Sequence, residues 1–190
     1  YDRKIWEEEL RDFLPDKIFD VHTHVYRKDL FDKEETQSNR TVSWPNAVAS
    51  ENPIEDHQEI YRLMFPGKDV KSLMFISGNT GFDRNNAYLS DVSKKTGWPA
   101  LYYSLPTQSA DEVERKVREG GFLGVKSYLS RAPKYIPTNE IRIFDFFPKK
   151  QLERLNDMGA ICMCHIPRNE RLKDPVNIHQ ILEIRKEFPK

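Results

Sequence analysis

Phe19-Asp20-Val21-His22-Thr23-His24-Val25 is the stretch whose reading decides the fold. It is a short β-rich run that ends in two histidines one residue apart. Side chains on a strand alternate between faces, so His22 and His24 point the same way. Two neutral imidazoles on one rigid face make a metal clamp. The alternative is a pair of strand histidines with no ligand, because a bare H-x-H is common.

Working outward, residues 2–14 read as a charged amphipathic helix with Ile5, Trp6, Leu10, Phe13 and Leu14 as its apolar stripe. Pro15-Asp16 ends it, and Lys17–Val25 is the first strand. Residues 26–52, with Trp44, show little periodicity and read as a long excursion that could serve as a lid. Pro53 opens a helix through Phe65, and Pro66-Gly67 closes it. Then a rhythm sets in. Strands are expected over 72–77, 100–105, 122–129 and 160–166. Helices are expected over 85–96, 110–119, 149–158 and 176–187, with Gly97 and Gly159 as C-caps. Strands alternating with helices of this length argue for right-handed βαβ units and a parallel sheet.

Five strands fit either an open α/β sheet or the first five units of a (β/α)8 TIM barrel, which takes eight strands and typically ~250 residues. The barrel is the expectation adopted here. Residues 1–190 then form the N-terminal part of a single TIM-barrel catalytic domain, with about three further units outside this chain.

Composition narrows the function. The chain has 190 residues, 38% of them hydrophobic, enough for one globular core. Acidic and basic residues balance at 30 each, so there is no basic field for nucleic acid. No apolar run approaches the ~20 residues of a membrane span. No signal peptide is visible, and Tyr1 is not an initiator methionine. Cys162 and Cys164 lie too close on one strand for a normal disulfide, and free thiols fit a reducing cytoplasm. The expected partners are a small-molecule substrate and other copies of the chain, with no nucleic acid and no membrane.

Active-site groups of a barrel sit at the C-terminal ends of its strands. His22 and His24 meet that test. Lys126 sits late in the fourth strand, and His165 closes the fifth, Cys162-Met163-Cys164-His165-Ile166-Pro167. With His165 turned inward, alternation turns both cysteines outward as inert core thiols. A lysine flanked by Phe122, Leu123 and Val125 is unusual, because an unpaired buried ammonium is costly. Arg131 and Arg168 follow the fourth and fifth strands and could grip an anion bidentately, or be ordinary loop arginines. Tyr128 could donate to substrate or simply pack. Gly78–Asn85 has the composition of a turn and helix cap, and could border the pocket. His57 and His179 fall within helices and are expected to face solvent.

Asp20-Val21-His22-Thr23-His24, with Lys126 and His165 on the fourth and fifth strands, resembles the amidohydrolase superfamily. The closest likeness is to the amidohydrolase-2 family of hydrolases, decarboxylases and hydratases. The resemblance implies a divalent metal, most simply Zn²⁺, as one or two ions on His22, His24 and His165. It also implies a role for Lys126, either as a carbamylated bridge between two metals or as a contact for a substrate carboxylate. Many amidohydrolase-2 members hold one metal and lack this lysine. The family's further histidine and its general-base aspartate come from strands beyond Lys190. TatD-like nucleases share the H-x-H but carry a glutamate where Lys126 stands. The polymerase and histidinol-phosphatase group has an acidic-histidine pattern that Tyr26-Arg27-Lys28-Asp29 does not reproduce. The implied activity is hydrolysis of an amide, ester or lactone of a small anionic substrate. The alternatives are decarboxylation or hydration at the same site, and a non-catalytic α/β binding domain with incidental histidines.

Overall fold

The computed structural model describes residues 2–32, 48–77 and 80–190. A short helix α1 (Asp2–Ile5) runs on into a wider π turn, Trp6–Leu10. Trp6 is buried edge-on to Phe65, with ring centroids 6.0 Å apart, whereas Phe13 is 80% exposed. The expected stripe of this segment is therefore used mainly at Trp6. There follow β1 (Lys17–His24), α2 (Ile54–Met64), β2 (Asp69–Phe75), α3 (Phe82–Thr96), β3 (Tyr102–Tyr103), α4 (Ala110–Gly120) and β4 (Gly124–Lys126). The chain continues through α5 (Ile143–Phe146), α6 (Lys149–Met158), β5 (Ile161–Met163) and α7 (Pro175–Glu187). The expected helices lie where the sequence put them to within a few residues, and α5 is an addition.

Local chemistry sets these boundaries. Ser109 caps α4 by accepting from the Glu112 amide at 3.1 Å. Asp174 caps α7 by accepting from Val176 N at 2.8 Å, with Pro175 in the first turn. α3, α4 and α6 each stop on a left-handed glycine. Gly124 is required for another reason. A Cβ there would stand 1.9 Å from the Ile161 carbonyl oxygen of the neighbouring strand.

The barrel expectation is corrected by the strand pairing. Among the described residues there are two small parallel sheets, β1–β2 and β3–β4–β5, and they do not close into a barrel. The two meet only through an isolated bridge between Met74 and Ala100. Its bonds run from Met74 N to Pro99 O at 2.9 Å and from Leu101 N to Met74 O at 2.8 Å. A parallel ladder would next join Tyr103 N to Ile76 O. Both groups are engaged elsewhere. Tyr103 N donates to Asn86 Oδ1 at 2.9 Å, and Asn86 Nδ2 donates to Tyr103 O at 3.2 Å. Ile76 O accepts from the Tyr128 hydroxyl at 2.8 Å. Two side chains thus cut the sheet, which leaves β3 only two residues long where six were expected.

One face of the strands carries most of the core. Leu89 and Val92 of α3, Val113 and Val117 of α4, and Leu152 and Leu155 of α6 pack on Met74, Ala100, Tyr102 and Val125. The other face holds a small cluster of Leu73, Phe75 and Leu101, joined by Tyr128 and Met163. Residues 33–47, which include Trp44 and most of the expected lid, lie outside the described residues, as do Gly78 and Asn79. Among the described residues no helix is long and apolar enough to cross a membrane.

Asn86 is buried and serves both polar groups of Tyr103. Replacing Asn86 by Leu orphans both, at about 1–3 kcal/mol for each buried group. Urea unfolding of Asn86→Leu is expected to show a loss in that range or above. A loss under about 0.5 kcal/mol, the level of an ordinary surface change, would mean that the ladder to Ile76 re-forms and that Asn86 does not divide the sheet.

Candidate metal centre

The histidine pair depends on an irregularity in β1. Between the pairs Asp20↔Ser72 and Thr23↔Met74, β1 advances three residues while β2 advances two. The extra residue is a β-bulge, and it switches the phase of the strand. Asp20 and Thr23 both turn towards Tyr61 of α2, while His22 and His24 share the opposite face. Simple alternation would have put Asp20 on the histidine face. Among the described residues, the bulge removes the carboxylate nearest in sequence from the site.

On that face the imidazoles of His22 and His24 lie 5.4 Å apart, edge to face. Phe75 is the floor beneath them, 4.8 Å from His22 and 4.7 Å from His24. Lys126 extends over the same ring at 5.3 Å and over Tyr128 at 5.1 Å. His165 stands two residues beyond the end of β5, edge-on to Tyr128 at 5.5 Å. Its Nδ1 is buried with no hydrogen-bond partner among the described residues. His22, His24 and Lys126 thus share the Phe75 ring, and His165 joins them through Tyr128.

The electrostatics of this cluster are one-sided. Burial is the main cause that holds His24 down to about 4, and the neighbouring His22, Lys126 and His165 add to it. Burial, then Lys126, Arg171 and His22, bring His165 to about 4 as well. His22 is more exposed and is lowered by burial and by Lys126. Lys126 is 3% exposed and lowered to about 8 by burial. Among the described residues its ammonium makes no hydrogen bond or ion pair. The Tyr128 hydroxyl donates to Ile76 O at 2.8 Å and lies 3.5 Å from His24 Nδ1.

The remaining candidates are committed elsewhere to differing degrees. Tyr128 stacks on Tyr103 at 4.8 Å, and Tyr103 stacks on Phe82 at 4.7 Å. Arg131 lies over Phe82 at 5.0 Å. Arg168 is held by Asp174 at 2.7 Å and sits in the left-handed region, as does Arg171. Cys162 is exposed and Cys164 half-buried, so Cys162 is not the packed core thiol that alternation suggested. His179 is exposed as expected. His57 is not. It is 7% exposed, packs on Tyr61 at 4.3 Å, and leaves its Nε2 without a hydrogen-bond partner among the described residues. Phe75 was not singled out from the sequence. Its place in the apolar run 72–77 is all the sequence offered, and the fold's parallel register then sets it opposite His24.

The donor chemistry suits a divalent cation: three imidazoles, two of them held neutral, and an orphaned Nδ1 on His165. As placed, no three His, Cys, Asp or Glu side chains among the described residues already stand in a ligating arrangement. A separate cleft of about 400 Å³ lies beyond the Phe82–Tyr103 stack, lined in part by Asp32, Arg84, Gln108 and Glu112, and it contains none of the histidines. Comparison with protein-family models, with curated proteins and with solved structures gives no match to this chain.

Two outcomes follow from the charges. A histidine with a depressed folded pKa adds stability that is present above its unfolded pKa near ~6.5 and is lost as pH falls through the folded value. The metal-free protein should therefore weaken in urea between pH 6.5 and about 4. His165→Gln should weaken less over that interval, and an identical decline would sink the assignment. Lys126 follows the same rule at higher pH. Its destabilising effect is complete below about 8 and fades towards 10.5. Lys126→Met should be more stable at pH 7 by about 1–3 kcal/mol, with the gain shrinking at alkaline pH. A loss at pH 7 would show that the ammonium has a stabilising partner.

Proposed function

We propose that this protein is a metal-dependent hydrolase of the amidohydrolase type, acting on the amide, ester or lactone bond of a small anionic substrate. The observation that supports the reading is the convergence of His22, His24 and His165 beside the buried Lys126. It does not depend on a closed barrel. His22, His24 and His165 would hold one divalent ion, most simply Zn²⁺. When bound, such an ion supplies Lewis acidity and lowers the pKa of a water from about 15.7 to roughly 7.

The chain's own residues then have separable tasks. Burial keeps His24 and His165 uncharged at neutral pH, so their lone pairs are available. The ammonium of Lys126, unpaired among the described residues and pKa about 8, is still mostly charged at pH 7 and would take a substrate carboxylate. Phe75 and Tyr128 keep water from its flanks, which strengthens that contact. Carbamylation of Lys126 to bridge a second ion is the competing role for the same amine. Decarboxylation or hydration is the competing chemistry at the same donors, since each also begins with an anion held against the site. The free, exposed Cys162 supports a reducing compartment such as the cytoplasm.

Elemental analysis of the purified protein tests the reading directly. About one ion per chain is expected, as for a mononuclear site, and His165→Ala should lose most of it together with activity. Unchanged metal in His165→Ala would remove His165 from the ligand set. Two ions per chain would assign Lys126 to the bridge. No ion after reconstitution with Zn²⁺ or Mn²⁺ would overturn the proposal.

A further inference from the structure

The side chains that hold the backbone of the histidine pair lie behind it, on the face turned towards α2. Asp20 spends both carboxylate oxygens there. Oδ1 accepts the His22 amide at 2.9 Å, and Oδ2 accepts the Tyr61 hydroxyl at 2.7 Å. The same hydroxyl oxygen lies 3.0 Å from Thr23 Oγ1. The other end of the pair is held by Asn52, whose Nδ2 donates to the His24 carbonyl at 2.7 Å. Asn52 is itself fixed by two backbone bonds to Tyr26, each 3.1 Å.

We infer that Asp20, Tyr61 and Asn52 are positioning residues that fix the His22-Thr23-His24 bulge and so aim both imidazoles out over Phe75. The physical reason is the unpaired amide. The bulge takes the amide of the exposed His22 out of the β1–β2 ladder, so the ladder bond that a regular register would give it is forgone. Slipping β1 by one residue would turn the histidines to the helix face. Asp20 offsets the forgone bond by accepting the amide, and Tyr61 fixes the carboxylate that does so. Asn52 holds the carbonyl just after the bulge. Asn52 Nδ2 also lies 3.4 Å from His57 Nδ1, and none of the three residues is bonded to the imidazole of His22 or His24. The inference concerns geometry, and only its metal readout rests on the function proposed above.

The test compares Asp20→Ala, Asp20→Asn and Tyr61→Phe with the parent in the full chain. Two quantities are read: hydrogen exchange at the His22 amide without metal, and affinity and visible spectrum with Co²⁺ as the probe. Asp20→Ala should speed exchange at His22 and weaken Co²⁺ binding by about 10–100-fold, with a changed ligand-field spectrum, the size typical of residues that orient metal ligands. Asp20→Asn keeps an acceptor for the amide and should restore both to within a few-fold. Tyr61→Phe, a mild change that retains the ring, should lie between them and carries the test should Asp20→Ala not fold. Unchanged exchange and unchanged Co²⁺ binding in Asp20→Ala and Tyr61→Phe would overturn the inference. So would equal losses in Asp20→Asn and Asp20→Ala. Faster exchange in a protein that binds no Co²⁺ at all would uphold the positioning role and remove the metal reading instead.

Discussion

The arrangement of this molecule turns on where two backbone groups, Tyr103 N and Ile76 O, find their partners. In an unbroken parallel sheet they would bond to each other. Instead Asn86 of α3 takes the first and Tyr128 takes the second. A neutral amide–carbonyl bond contributes about 1 kcal/mol net, so the exchange costs little as long as both groups stay satisfied. What it changes is shape. The strands part beyond Met74 and Ala100, and Tyr128 is drawn across the gap to stand between His24 and His165. The same hydroxyl that divides the sheet also lies against the His24 ring.

Much of the helical framework was legible because its signals are local. Ser109, Asp174, Gly97, Gly121 and Gly159 announce helix ends through cap chemistry that acts within a few residues. Strand extent was less legible. Ala100–Leu105 and Ala160–Ile166 read as full strands on apolar content, yet ladders form only over Tyr102–Tyr103 and Ile161–Met163. Apolar content reports burial, while a ladder also requires a free neighbour. Nothing near Tyr103 in sequence shows that Asn86, seventeen residues earlier, will claim its amide. The barrel expectation failed on this point, since a strand count says nothing about where pairing stops.

The candidate residues could be grouped from the sequence, but the way the chain presents them could not be read from it. His22, His24, Lys126 and His165 could be grouped because strand ends and alternation constrain where side chains point. The bulge could not be foreseen, since one inserted residue leaves no mark on composition. It reverses the orientation of Asp20 relative to the pair, which simple alternation would have placed among the ligands. His57 was misjudged for a related reason. Its helix face is defined by Tyr61 and Trp98, whose packing on it is set by tertiary structure.

The face that carries the histidines has a further consequence. His22 is exposed, whereas Phe75 beneath the imidazoles and Lys126 are buried, so solvent meets the cluster on one side. The polarity felt by Lys126 and the imidazoles is therefore adjustable from outside. An anionic ligand that covers His22 would strip solvent from the cluster, while its own charge would hold the amine in its protonated form. Near pH 8, where the amine is only partly charged, binding would then take up a proton and register as a change in buffer acidity before any bond is broken.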